Sequence, residues 1–218
     1  DTDHPAAKTM TLRTMVRRIT LERMVATIGL LLVAALWVAI WIDPDRGWDW
    51  KHSFQPAGTR WWIPYGNRFH NPPWTALILW PIAILPPHLG YVVKSVLAIV
   101  TTTLLVYHEG GRWLAVVVTF LSPPFVGTLL VGNIEWVPVL GILIGGSWGV
   151  PLMLAKPQTA GMAALLFFKR ADFSWRFWLP TLGVLLGSLL IWGWWPARIP
   201  TLPQHHVAWN VSVFPFGL

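Results

Sequence analysis

Residues Met24 to Ile42 form a run of 19 residues without one charged side chain. At 1.5 Å of rise per residue this is about 28 Å of helix, close to the hydrocarbon thickness of a bilayer. Lipid offers no partner to backbone N–H and C=O groups, so a lipid-facing run of this kind has to be helical. Similar stretches follow along the chain. Only 11% of the 218 residues are charged and 55% are hydrophobic, against about 25% charged in soluble domains. The pattern predicts an all-α fold, a polytopic transmembrane helical bundle.

Seven spans are expected, two of them short or broken. They are Met24–Ile42, Trp74–Leu85, His88–Tyr107, Trp113–Val131, Ile134–Leu154, Thr159–Phe168 and Phe177–Trp195. Pro81 interrupts the second, Pro123-Pro124 kinks the fourth, and Gly141, Gly145, Gly146 and Gly149 allow close helix approach in the fifth. Short, proline-broken segments require other helices or a water-filled cavity to satisfy the freed backbone. Residues 1–23 read as a cytoplasmic amphipathic segment carrying Arg13, Arg17, Arg18 and Arg23, or as an ordinary basic tail. Residues 24–195 are the bundle, with an external loop at 43–73, and residues 196–218 are an external tail. The arginines ahead of the first span place the N-terminus in the cytoplasm and the C-terminus outside, in a prokaryotic cytoplasmic membrane.

The net charge of +7 follows from this orientation and calls for no nucleic acid. The 17 tryptophans fit interfacial belts. With no cysteine, disulfides, thiolate nucleophiles and cysteine metal sites are excluded. No secretory leader is expected, and Asp rather than Met at position 1 suggests an upstream start. There is no internal repeat, which disfavours transporters built from paired halves.

The loop DPDRGWDWKHSFQPAGTRWWIPYGNRFHNPP concentrates what chemistry the chain can offer. It holds Asp43, Asp45 and Asp49, the cations Arg46, Lys51, Arg60 and Arg68, and the histidines His52 and His70. A carboxylate beside a cavity can serve as general base, metal ligand or cation partner. Asp43 and Asp45 also suit a helix-terminating Asp-Pro turn. Asp49 has no such explanation, and its flanking Trp48 and Trp50 would desolvate it.

Lys156-Pro157-Gln158 lies in the break between the fifth and sixth apolar segments, on the side of Asp49 by the span count. A lysine there suits an anion such as phosphate, or snorkels to the interface. Gly132-Asn133-Ile134-Glu135-Trp136 reads as a turn, with Asn133 capping the next helix and Glu135 in its first turn. The count puts this motif on the inner side, away from Asp49, unless the Pro123-Pro124 break makes the segment re-entrant. Lys94 lies in mid-span and needs a partner, with Glu109 and the loop carboxylates as candidates. His205-His206 lacks a third metal ligand. No cofactor is required, no metal site is assigned, and a divalent ion at the loop carboxylates stays open.

The motif order is DWKHSFQPA, Pro64-Tyr65, FHNPPW, LWPIAILPP, then SPP, GNIEW, LAKPQTAG and a final WN-S. It resembles the integral-membrane glycosyltransferases of family 87, in the C-type superfamily, from Ile42 to about Phe214. These enzymes run to roughly twice this length, and the match is to their N-terminal half. The resemblance implies transfer of a sugar, typically mannose, from a polyprenyl-phosphate donor on the outer membrane face. It implies a catalytic carboxylate acting as general base at Asp49, with Asp43 in reserve, and donor phosphate held by Lys156 and Gln158. Asn133, Glu135, His52 and Arg60 are further candidates. The lipid bilayer, a polyprenyl-phosphate sugar and other membrane proteins are the expected partners. The competing expectation is a non-catalytic structural or accessory subunit of a membrane complex, suited to a short chain with small-residue helix faces.

Overall fold

The structure is a computed structural model that describes residues 23–32, 34–35, 46–65 and 69–198. The basic N-terminal segment, Asp43, Asp45, Arg68 and the His205-His206 pair lie outside the described residues. Among the described residues there is no strand, and the chain is all-α. Helix α1 covers Arg23–Leu32. A π-helical turn at Trp50–Phe54 runs into α2 (Gln55–Thr59), followed by α3 (Pro73–Ala83), α4 (Pro87–His108), α5 (Trp113–Leu121) and α6 (Pro123–Val131). Then come α7 (Trp136–Ile144), α8 (Gly146–Met153), α9 (Pro157–Arg170), α10 (Trp175–Trp192) and a 3₁₀ turn at Trp195–Ala197. Proline opens α3, α4, α6 and α9. Its fixed φ suits a first helical turn, where a backbone N–H would be unpaired in any case.

Helix α4 is the frame. Its 22 residues give about 33 Å of length. Its first turns sit beneath the loop: Trp50 is fully buried and donates its indole N–H to the Pro87 carbonyl at 3.3 Å. A Cβ on Gly90 would come within 2.9 Å of the Trp50 ring. The His108–Arg112 turn is therefore at the opposite end of the molecule from the loop, not on the same side as the span count expects.

Helix α3 does not lead away from the loop either. Gln55 Nε2 donates to the carbonyls of Ala83 (3.2 Å), at the end of α3, and Leu85 (2.9 Å), just beyond it. A Cβ on Gly58 would meet that of Ala83 at 2.5 Å. The stretch expected as the second span thus lies along the loop helix, and the Pro86-Pro87 turn belongs to the loop side.

Helices α5 and α6 return toward the loop with a 59° bend at Ser122, where the two prolines interrupt the helical hydrogen bonds. Gly132 ends α6 with φ +88, a conformation glycine adopts without steric cost. Here the Gly47 N–H donates to the Leu130 carbonyl at 2.8 Å.

The expected fifth span, Ile134–Leu154, is two helices folded back on each other. Gly145 and Gly146 have φ +62 and +55 and make the reversal. Gly141 and Gly149 let the arms touch backbone to backbone, since a Cβ on Gly149 would lie 2.2 Å from the Gly141 oxygen. With 9 and 8 residues, α7 and α8 are each about 12–14 Å long, too short to cross a bilayer. The hairpin starts and ends at the loop side. Helix α9 then runs toward its tip, bringing Phe167 near Gly145, and α10 comes back to place the Trp192 indole on the Trp61 carbonyl at 2.7 Å.

Among the described residues two helices, α4 and α10, are long and apolar enough to cross a membrane, or three if the bent α5–α6 pair counts as one span. The main core packs Trp50, Phe54, Phe69, Tyr91, Phe120, Ile134 and Val137 beneath the loop. Trp136, Trp192 and Trp195 are buried as well, so these three do not face the surroundings.

Candidate functional site

Four charged side chains from four parts of the chain meet where the loop, α4, the α6–α7 turn and the α8–α9 break come together. Asp49 comes from the loop, Lys94 from α4, Glu135 from the turn and Lys156 from the break.

Asp49 precedes the π-helical turn but accepts no capping hydrogen bond from it. Its carboxylate is therefore not consumed by the helix end. Burial pushes its pKa above the ordinary carboxylate value, while the nearby charges of Lys156 and Lys94 pull the other way. Single π turns inside helices are frequent at functional sites, and this one follows Asp49 directly.

Lys156 is buried, with its backbone extended because Pro157 follows it. Its ammonium donates to Asn133 Oδ1 at 2.5 Å and forms an ion pair with Glu135. The segment before it is clamped by the FHNPPW motif. Asn71 Nδ2 and Thr75 Oγ1 donate to the Ala155 carbonyl at 2.9 and 3.1 Å, and the Trp74 indole donates to the Pro151 carbonyl at 3.1 Å. These contacts fix the reach of Lys156 toward the α6–α7 turn.

Lys94 is fully buried, one helical turn beyond Tyr91, whose ring centroid lies 4.7 Å from its Nζ. Nζ has no hydrogen-bond partner among the described residues. Asp49, Lys156 and Glu135 are all within electrostatic reach of it. Glu109, the other candidate partner, is exposed at the far end of α4. The second Glu135 oxygen, Oε2, is buried and also lacks a partner among the described residues.

Asp49, Lys156, Asn133 and Glu135 are thus brought together, and Glu135 is not on the opposite side from Asp49. The hairpin explains why Lys156 meets Glu135, because an unbroken span would have carried the two about 30 Å apart. Asn133 also departs from the expected cap: its Oδ1 accepts from the Ile134 N–H at 2.9 Å and from Lys156, while Glu135 holds the N-cap position of α7. Gln158 is exposed in the first turn of α9. His52 is exposed and stacked on Trp48 at 4.9 Å, and Arg60 is exposed at the end of α2. Lys94 was the residue hardest to place from sequence. Its only signal was a lysine with no neighbouring carboxylate inside a 22-residue apolar helix.

Among the described residues no group of three or more His, Asp or Glu side chains is arranged to hold a metal ion. The cluster offers a carboxylate of raised basicity beside two ammonium groups, suited to accepting a proton and offsetting developing negative charge. No family model, curated protein or solved structure matches the chain.

Proposed function

We propose that the chain is a membrane-embedded glycosyltransferase-like protein that uses the Asp49 cluster to transfer a sugar from a polyprenyl-phosphate donor on the outer membrane face. The observation that carries this reading is the convergence of Asp49 with Lys156 and Lys94 from segments far apart in sequence. Buried charges in a membrane protein cost several kcal/mol and mark functional sites by default.

In the proposed step an acceptor hydroxyl attacks the anomeric carbon of the donor. Asp49 takes the hydroxyl proton, the bond from the anomeric carbon to the phosphate oxygen breaks, and polyprenyl phosphate leaves with the electron pair. Lys156 has three N–H donors, of which Asn133 and Glu135 engage two. The third, together with the exposed Gln158, would hold the phosphate at the rim. Mannose is the sugar that the motif resemblance favours.

The matching topology has fewer crossings than seven: the apolar run Met24–Ile42 of the sequence, α4, the bent α5–α6 pair and α10, with the shorter α9 returning the chain toward the inner side. In it α3 lies flat under the loop and α7–α8 is re-entrant. Arg13, Arg17 and Arg18 ahead of α1, with Lys169, Arg170 and Arg176 at the α9–α10 turn, favour placing that end in the cytoplasm. The loop and the cluster are then outside.

A transfer assay tests the reading. Membrane vesicles containing the full chain should move radiolabelled sugar from a polyprenyl-phosphate donor to acceptor above the level of vesicles lacking it. Equal transfer, together with stoichiometric copurification of another membrane protein, would support the accessory-subunit reading instead.

A further inference from the structure

Two atoms of the cluster are left over by every contact described above: the Lys94 ammonium, with up to three N–H donors, and Glu135 Oε2, an acceptor. Both are buried; Lys94 is within electrostatic reach of Asp49, Lys156 and Glu135, and Glu135 is paired with Lys156. A buried donor and a buried acceptor left unpaired in one place call for a bound group that answers both.

The charge balance narrows what that group is. Lys94 and Lys156 are offset by Asp49 and Glu135, so the four side chains sum to zero. The donor phosphate proposed at Lys156 already adds one anion, and a second beside Lys94 would bring a further uncompensated charge into a poorly solvated place. A neutral hydroxyl would not, and it can accept from an ammonium while donating to a carboxylate. Access exists at the carboxylate side, since the Glu135 side chain is 26% exposed and Asp49 is partly exposed.

From these observations we infer that Lys94 and Glu135 form a subsite for the hydroxyl groups of a neutral hexose, separate from the phosphate contacts at the rim. This rests on the glycosyltransferase reading for its role, and it assigns the buried half of the site to the sugar ring. Lys94 Nζ donates to a ring hydroxyl oxygen, and that hydroxyl or its neighbour donates to Glu135 Oε2. Asp49, partly exposed and within electrostatic reach of Lys94, would meet the acceptor hydroxyl.

The test uses the full chain in lipid nanodiscs free of glycoside detergent, with methyl α-mannoside as the probe. Saturation-transfer NMR should show binding by the wild type. Lys94→Met should weaken it by about tenfold, the equivalent of one charge-assisted hydrogen bond. The thermal midpoint should fall, because removing one cation leaves the carboxylates beside it undercompensated, so binding is compared at a temperature where all the proteins stay folded. Lys94→Gln, which keeps a shorter polar group, should give intermediate binding. Wild-type levels of probe binding in both variants would overturn the inference, as would no binding by the wild type, an outcome that leaves ordered water alone to satisfy the two atoms. Probe binding that depends on Lys94, without transfer from polyprenyl-phosphate donor, would sustain the subsite and remove the glycosyltransferase reading. Transfer that proceeds unchanged in Lys94→Met, with probe binding also unchanged, would do the reverse.

Discussion

Lys156 and Glu135 are ion-paired across the base of a hairpin whose 20 intervening residues carry no charge. The pair closes the α7–α8 excursion and returns the chain to the point where it left the loop side. Removing Lys156 alone leaves a carboxylate with one buried oxygen and no cation bonded to it. Lys156→Met should therefore destabilise the protein by about 3 kcal/mol, and adding Glu135→Gln should restore more than half of that loss. Reversible unfolding in mixed micelles measures the cycle, and strictly additive losses would mean that the pair does not hold the hairpin.

The hairpin's close backbone contact sets up a second comparison. Gly149→Ala places a methyl group against the Gly141 carbonyl and should cost about 1–3 kcal/mol. Gly183→Ala in α10 meets nothing within 4 Å, and the gain in helix propensity should stabilise by up to about 1 kcal/mol. The same unfolding assay reads both. A loss at position 183 as large as that at 149 would contradict the packing described.

The absence of native cysteine makes the topology directly measurable. His52→Cys lies at the loop end and Glu109→Cys at the other end of α4, and both positions are exposed. A membrane-impermeant maleimide added to intact cells should label position 52 and spare position 109 until the membrane is opened. Labelling of both from outside would restore the arrangement in which the loop and the His108–Arg112 turn share one side.

The helical nature of the chain was legible because apolar runs of this length leave the backbone no alternative. The bend at Pro123-Pro124 was legible for a related reason, proline's missing donor. Hydropathy could not see the reversal at Gly145-Gly146, since both arms of the hairpin are as apolar as a continuous span. Two adjacent glycines in that run were its only mark. Reading α3 as a crossing moved the start of α4 away from the loop and put Glu135 opposite Asp49, and missing the Gly145-Gly146 turn separated Lys156 from Glu135. Asp49 could be singled out from its tryptophan neighbours, but the lysine beneath it could not be paired until α4 was known to begin under Trp50.

The state of Asp49 gives a pH dependence with a fixed sign. Burial raises its pKa above the ordinary 3.8, so its basic form is populated only at correspondingly higher pH. The stabilisation it contributes is complete below pH 3.8 and is lost as pH rises through the raised value. Transfer activity should show an acid limb set by this group. Lys156 and Lys94 face it as cations and Glu135 lies among them, so Lys156→Met should move the limb to higher pH. A shift to lower pH in pH–rate profiles would remove Asp49 as the titrating base.

The most direct measurement is sugar transfer from polyprenyl-phosphate donor by purified, reconstituted Asp49→Asn compared with wild type. The substitution keeps the size of the side chain and removes the base, so transfer should fall by at least about 100-fold while expression, insertion and thermal midpoint are retained. Wild-type transfer by the Asn variant would contradict the assignment of Asp49 as the base.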